Sequence, residues 1–198
     1  TVFHMDAMRV YRRCENCALV FVPTKYHLTP ADEKAEYDLH QNSPQDAGYR
    51  RFLSRLFVPM QRRLQPESSG LDFGSGPGPT LSVMFTEADH NMTIYDPFYA
   101  PDATVFQRRY DFITASEVVE HLREPHMELD RLWSLLRLGG LLGIMTKRVY
   151  SQEAFTSWHY KDDMTHICFF SDVTFKWLAR LWEAKLEIVD KDVVIFRK

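Results

Sequence analysis

The residues most suited to chemistry in this chain sit in a few short segments. The first is Leu71-Asp72-Phe73-Gly74-Ser75-Gly76-Pro77-Gly78-Pro79. It reads as the end of a buried strand, a glycine-rich turn and the start of a helix. Glycine has no Cβ, so the turn can take positive φ and a ligand can lie against bare backbone. The first N–H groups of the following helix have no partners within it and can face that ligand. The spacing is Gly-x-Gly-x-Gly. It differs from the Gly-x-Gly-x-x-Gly of dinucleotide binders and lacks the Lys-Ser/Thr of a phosphate loop. Asp72, two residues before the first glycine, would repel a pyrophosphate and suits a ligand with cationic groups. The second segment, Met92-Thr93-Ile94-Tyr95-Asp96, is an apolar run ending in an acid. The pair fits a strand–helix–strand unit. A carboxylate at that strand end can accept both hydroxyls of a ribose, and Pro97, Phe98 and Tyr99 follow it as packing groups.

A third segment runs from Tyr110-Asp111-Phe112 to Ser116-Glu117-Val118-Val119-Glu120-His121-Leu122. It implies a strand over 112–115 and then a short helix. Glu117, Glu120 and His121 are spaced i, i+3 and i+4, which predicts one shared helical face. His121 is a candidate general base, and so is His166, which stands near Asp163 and Thr165. An imidazole serves as a base only in its neutral form. Trp158 and Tyr160, just upstream, could stack an acceptor or face a cation, and packing of a loop over the sheet accounts for them equally well. The fourth segment is Leu136-Arg137-Leu138-Gly139-Gly140-Leu141-Leu142-Gly143-Ile144-Met145. It reads as a helix end, a glycine turn and a buried strand.

The elements that must position these residues follow from pattern. From residue 70 onward strands and helices alternate, which implies a mostly parallel sheet with helices on both faces. Pro125 opens a helix with a stripe of Leu129, Leu132, Trp133 and Leu136, and Ser171 caps another with Phe175, Leu178, Ala179 and Trp182. Strands over 186–189 and 193–196 are joined by Asp190-Lys191-Asp192, a link short enough to force an antiparallel pair. Between Asp96 and Asp111 there is room only for a loop and one short element over 104–109. The sheet edge after the second strand should therefore be reduced.

Residues 1–65 read as a small appendage before a domain over 66–198. A hairpin over 10–22 carries Cys14 and Cys17 at its tip. Thr29-Pro30 starts a helix over 31–40, with a cap residue followed by proline. A longer helix follows Asn42-Ser43-Pro44, with the apolar stripe Tyr49, Phe52, Leu53, Leu56, Phe57, Met60 and Leu64. Pro59 is expected to kink it. The helix before the first central strand is placed to fold over the carboxyl edge of the sheet. Tyr37, His40, Glu117, His121, Tyr160 and His166 are thus expected around one cavity.

The four segments, in this order, resemble class I S-adenosylmethionine-dependent methyltransferases over roughly 71–198. The segment Trp158-x-Tyr160-x-x-Asp163-x-Thr165-His166-x-x-Phe169-Phe170-Ser171 and the stretch Arg13-Cys14-x-x-Cys17 are similar to a bacterial subgroup of that family. The resemblance implies a Rossmann-like α/β sheet with helices on both faces, an antiparallel last strand and S-adenosylmethionine as donor. It implies donor contacts from Asp72, Gly74, Ser75, Gly76, Gly78, Asp96, Pro97, Phe98, Ser116 and Glu117, with Glu117 beside the methionine part. His121, His166 and Glu117 are the catalytic candidates. Tyr37, His40, Trp158 and Tyr160 are the candidates for holding a small or medium-sized acceptor. Two alternatives stay open: methylation of RNA or protein with the appendage as recognition element, and a donor-binding module without catalysis.

Composition agrees with these expectations. The 198 residues are 45% hydrophobic and 26% charged, ordinary for a globular chain. A net charge of −3 argues against binding that rests on neutralising many phosphates. No apolar run approaches the ~18 residues of a membrane-spanning helix. The first residues show neither the basic start nor the apolar core of a secretory signal, and three cysteines are few. A reducing, cytoplasmic setting is therefore expected. Cys14 and Cys17 read as half a zinc site, a redox pair or two unrelated thiols. Zinc is expected only if a second cysteine pair precedes Thr1, and oligomeric state is left open.

Overall fold

The computed structural model describes residues 1–39 and 42–198. Three short strands open the chain: β1 (Val2–Met5), β2 (Val10–Arg13) and β3 (Val20–Phe21). Two helices follow, α1 (Pro30–Tyr37) and α2 (Ala47–Gln61). Strand–helix alternation begins with β4 (Ser69–Phe73), α3 (Thr80–Glu87) and β5 (Asn91–Tyr95). It continues through β6 (Tyr110–Ser116), α4 (Pro125–Leu135) and β7 (Leu136–Met145). The last part holds α5 (Gln152–Thr156), β8 (Cys168–Phe169), α6 (Asp172–Leu181), β9 (Lys185–Ile188) and β10 (Val193–Arg197).

Six strands form the central sheet in the order β5-β4-β6-β7-β10-β9. The strands β5, β4, β6 and β7 run parallel, and β10 is antiparallel to both β7 and β9. β5 is the edge. The short spacer after it yields only a loop and a 3-10 turn at Ala103–Gln107, which gives the reduced edge.

Side chains alternate between two buried faces, the period-2 rule of a strand. Phe112, Leu141, Met145, Val193 and Ile195 pack with Leu53, Leu56 and Met60 of α2 and Phe85 of α3. Ile113, Leu142, Ile144 and Phe196 face the other way, toward Leu129 and Leu132 of α4 and Phe175 of α6. A sheet covered on both faces explains why its central strands read as continuous apolar runs. Gly143 lets α2 approach closely: a Cβ there would stand 2.7 Å from Met60 Sδ.

A second, antiparallel sheet has the order β1-β2-β3-β8. Its fourth strand comes from the far end of the chain, with Val20 opposite Phe169 and Phe21 opposite Cys168. Phe3, Tyr11, Val20 and Val22 share one core with Phe155, Phe169 and the central sheet.

Three local expectations are corrected. The pair Gly139-Gly140 is not a turn between helix and strand, because β7 already starts at Leu136 and absorbs the glycines in a register shift against β6. Gly139 takes φ +81° within that irregularity. Helix α1 ends at Tyr37, short of the expected 40, and Asp38 closes it as the C-cap. Glu117 does not share a helical face with Glu120 and His121. It precedes the helix at φ +53°, and the helix itself is a single 3-10 turn at Val119–His121.

Candidate active site

A cleft of about 790 Å³ opens at the carboxyl ends of β4, β5 and β6. Its floor at one end is the glycine loop. Gly74 has φ +74°, and a Cβ there would sit 2.4 Å from Val118 Cγ2. Only glycine fits that position. The loop is pinned from the neighbouring strand: the N–H groups of Gly74 and Ser75 donate to the Tyr95 carbonyl at 2.8 and 3.1 Å.

Asp96 ties the next part together. Its Oδ2 accepts from Gly76 N at 2.9 Å, and its Oδ1 accepts from Phe98 N and Tyr99 N at 2.8 and 3.1 Å. A carboxylate has about four acceptor positions. Three are used here, so Asp96 keeps one for a hydroxyl unless Gly76 lets go. The hydroxyls of Ser75 and Ser116 are buried at the cleft wall without a hydrogen-bond partner among the described residues. Native proteins rarely leave such groups unpaired, and a polar ligand would satisfy both.

Glu117 lines the same wall. Burial, reinforced by the nearby Glu120, pushes its pKa up to about 8. Such a carboxyl ionises readily when a cation arrives beside it.

At the other end the cleft is lined by Tyr37, His121, Asp163 and His166. The rings of His121 and His166 lie 4.8 Å apart. Tyr37 packs 5.3 Å from His121 and 5.8 Å from Phe98, so it spans the two ends of the cleft. Behind the histidines, Glu120 is fully buried and accepts from the Tyr160 hydroxyl. Burial raises the pKa of Glu120 and lowers that of His166, whose ring is further disfavoured as a cation by His121.

The structure thus gathers Gly74, Ser75, Gly76, Asp96, Pro97, Phe98, Ser116, Glu117, Tyr37, His121 and His166 at one cleft. Four other candidates stand away from its lining. Asp72 is buried under the loop, where Thr114 Oγ1 donates to its Oδ1 at 2.8 Å, and burial pushes its pKa up to about 7. It faces a strand neighbour rather than a ligand. Gly78 abuts the backbone of Asn42, whose carbonyl oxygen lies 2.1 Å from the place of a Cβ. Tyr160 sits one layer back, its ring 4.1 Å from that of His166. Trp158 packs farther back, against Phe155, Tyr160 and Phe169. His40 lies outside the described residues. Cys14 and Cys17 flank the turn between β2 and β3, and Cys168 reaches the same small sheet, where its Sγ donates to the Leu122 carbonyl.

Several lining residues were not singled out by sequence. Tyr49 and Phe52 of the apolar stripe pack partly buried against the core and also line the cleft, while Leu53, Leu56 and Met60 are buried within the core. Their place near the start of α2, at the ligand edge of the sheet, was the available signal. Arg131 also lines the cleft, with its guanidinium 3.7 Å over the Phe106 ring. Glu33 and Arg123 pair at 2.8 Å and hold α1 across the opening.

A comparison with curated proteins finds no match. Among solved structures, the chain is similar to a Burkholderia thailandensis 1,6-didemethyltoxoflavin-N1-methyltransferase at 16% identity and TM-score 0.58, covering 98% of this chain and 97% of that one. It is also similar to an O-methyltransferase from neocarzinostatin biosynthesis, at 14% identity and TM-score 0.51, over 74% of this chain and 53% of that one. An O-methyltransferase family protein from Burkholderia thailandensis matches at 12% identity and TM-score 0.50, over 88% and 61%. At such identities the likeness is one of fold. The family model for a methyltransferase domain matches residues 41–191, most of the chain and all the cleft-forming strands, and the protein therefore belongs to the methyltransferase-domain family.

Proposed function

We propose that the protein transfers a methyl group from S-adenosylmethionine to a small or medium-sized acceptor. The observation that carries this reading is the continuous cleft with the glycine loop and Asp96 at one end and His121 with His166 at the other. Its volume of about 790 Å³ lies within the ~300–1,000 Å³ typical of ligand sites.

S-adenosylmethionine supplies a methyl carbon already activated by its sulfonium. The protein's own residues then have positional tasks. Ser75 and Ser116 offer unpartnered hydroxyls to the polar parts of the donor. Asp96 offers its remaining acceptor position to a ribose hydroxyl. Glu117 answers the positive charge of the amino-acid part. Tyr95, Phe98 and Tyr99 line the nucleotide side, where the absent edge strand leaves the wall to loop residues. His166, kept neutral by burial and by His121, presents a ring lone pair toward an acceptor at the opposite end. Holding nucleophile and methyl group in line supplies the larger part of the rate.

The Burkholderia thailandensis neighbour was solved with 1,6-didemethyltoxoflavin and S-adenosylhomocysteine, and the neocarzinostatin one with S-adenosylmethionine and a naphthoic acid. Both support a small-molecule acceptor. Three free cysteines support the cytoplasmic setting, and among the described residues no helix is long and apolar enough to cross a membrane.

Calorimetry with S-adenosylmethionine and with S-adenosylhomocysteine tests the reading. Saturable binding of both is expected, followed by methylated products when small acceptors are screened by mass spectrometry. Folded protein that binds neither compound overturns it.

A further inference from the structure

We propose that Glu120, His121 and His166 bind a divalent transition-metal ion of the zinc class at the acceptor end of the cleft. A carboxylate oxygen of Glu120 and one ring nitrogen from each histidine lie within 4.8 Å of one another. Among the described residues this is the one cluster of histidine, cysteine and acid side chains with metal-ligand spacing. The inference rests on the methyltransferase reading only for what the ion does to an acceptor. The site itself stands on geometry.

Both rings are oriented from behind. The Nδ1 of His121 lies 3.1 Å from the Thr165 carbonyl oxygen, and the Nδ1 of His166 lies 2.6 Å from that of Tyr160. A carbonyl oxygen can only accept, so each Nδ1 carries the proton. The lone pair of each neutral ring is then on Nε2. This backbone anchoring of the far nitrogen is how metal-ligating histidines are held and kept basic.

Glu120 supplies an independent sign. It is fully buried, and Oε1 is paired with the Tyr160 hydroxyl. Its Oε2 has no hydrogen-bond partner among the described residues. A buried carboxylate oxygen left without donor or cation is costly. A divalent ion between it and the two imidazoles removes that cost.

Two nitrogens and one carboxylate oxygen form a ligand set that suits zinc and its first-row neighbours. Ligand atoms around zinc stand roughly 3.3 Å apart at bond lengths of ~2.0–2.1 Å. Starting from separations of at most 4.8 Å, the three ligand atoms need to close by no more than about 1.5 Å. Three protein ligands leave a position open, as in catalytic rather than structural zinc sites. His121 and His166 both line the cleft, so the open position faces the acceptor. A Lewis acid there favours an acceptor that presents a phenol, enol or carboxyl oxygen. Asp163, whose Oδ2 is 3.7 Å from His166 Nε2 and whose Oδ1 is held by Thr165, stands beside that position.

The experiment uses the whole chain stripped of metal and then titrated with zinc chloride, and in parallel with cobalt(II) chloride for its visible absorption bands. One equivalent should bind and survive dialysis. Glu120→Gln and His121→Gln should each weaken binding by at least ~10-fold, and the cobalt bands should lose intensity. Circular dichroism reports whether each variant is folded, and His121→Gln changes a partly exposed side chain that can be lost without unfolding. The double variant Cys14→Ser with Cys17→Ser should keep the ion. Calorimetry with S-adenosylhomocysteine, run on the same samples, reads the donor end separately. Donor binding without metal binding overturns the metal site and leaves the methyltransferase reading in place. Metal lost in the cysteine variant and retained in the Glu120 and His121 variants also overturns it.

Discussion

The glycine-loop end of the cleft is assembled from backbone groups close to one another in sequence, whereas the histidine end is assembled from side chains that meet only across the fold. At the first end, Gly74, Ser75, Gly76, Phe98 and Tyr99 contribute main-chain N–H groups, which Tyr95 and Asp96 collect. At the second, the 3-10 turn after β6 meets a loop some forty residues downstream, His121 Nδ1 bonding the Thr165 carbonyl across 44 positions. That loop is held in turn by the N-terminal sheet. Arg9 is buried, and its guanidinium donates to the carbonyl oxygens of Lys161, Asp163 and Met164 and to the Tyr11 hydroxyl. The small sheet is therefore a brace for the histidine end. The two ends should fail separately when disturbed.

The largest separation is expected at Arg9. Arg9→Met leaves several buried carbonyls unpaired and should cost about 3–5 kcal/mol in denaturant unfolding. Turnover should fall further than stability alone explains, because Asp163 and His166 are no longer held. Donor affinity of the folded fraction should change by less than about twofold, since nothing Arg9 touches lines the donor end. Equal loss of donor binding and turnover would break the division into two ends.

Asp72 tests what lies under the donor end. Its pKa is raised, to about 7, so the folded protein holds a proton that the unfolded chain releases. The associated stability is fully present below the unfolded pKa near ~4 and is lost as pH rises through ~7. For this group alone the loss amounts to about 3–4 kcal/mol between pH 4 and 8. Asp72→Asn is neutral throughout and should show a correspondingly flatter profile. Parallel unfolding curves at pH 5 and pH 8 check this. A difference between wild type and variant that does not change with pH removes the buried neutral carboxyl.

Two glycines of one loop sharpen the contrast within the donor end. Gly74→Ala combines positive φ with overlap against Val118 and should cost about 2–4 kcal/mol. Gly76→Ala also has positive φ, but a Cβ there meets nothing within 4 Å. It should cost only about 1 kcal/mol. Thermal unfolding of both variants gives the comparison, and equal costs would mean the Val118 contact relaxes freely.

Asp96→Ala removes a hydrogen-bond acceptor from the glycine-loop end and should weaken S-adenosylmethionine binding by about 1.5–3 kcal/mol. Its three backbone partners also lose their acceptor, so the loop before Tyr99 should exchange its amide hydrogens faster. Unchanged affinity in calorimetry would remove Asp96 from the donor's contacts.

Much of the fold was legible in the sequence because it depends on short-range pattern. The apolar runs ending at Phe73 and Tyr95, the capping pairs at Thr29 and Ser171 and the short link at Asp190 each act within a few residues. The start of β7 was misread because glycines inside a bulge look like glycines in a turn. The helical face expected for Glu117, Glu120 and His121 failed for a related reason. Spacing of i, i+3 and i+4 describes a face only if the helix forms, and Glu117 instead takes a left-handed conformation with its N–H bonded to the Met145 carbonyl.

The candidate site divides along the same line. By itself the sequence determined that a glycine loop and Asp96 end the two strands of a strand–helix–strand unit, since strand periodicity is local and the loop's chemistry follows from a missing Cβ. Tertiary structure decided which way the remaining side chains face. Asp72 turns to Thr114, Tyr160 backs Glu120, and Tyr49 and Phe52 pack against the core while also lining the cleft. Each of these orientations is set by a partner that lies tens of residues away in sequence, or on a different layer of the sheet. Burial also decided charge. The carboxyls of Asp72 and Glu120 are like any others in sequence, and it is chiefly the burial around them that raises their pKa values.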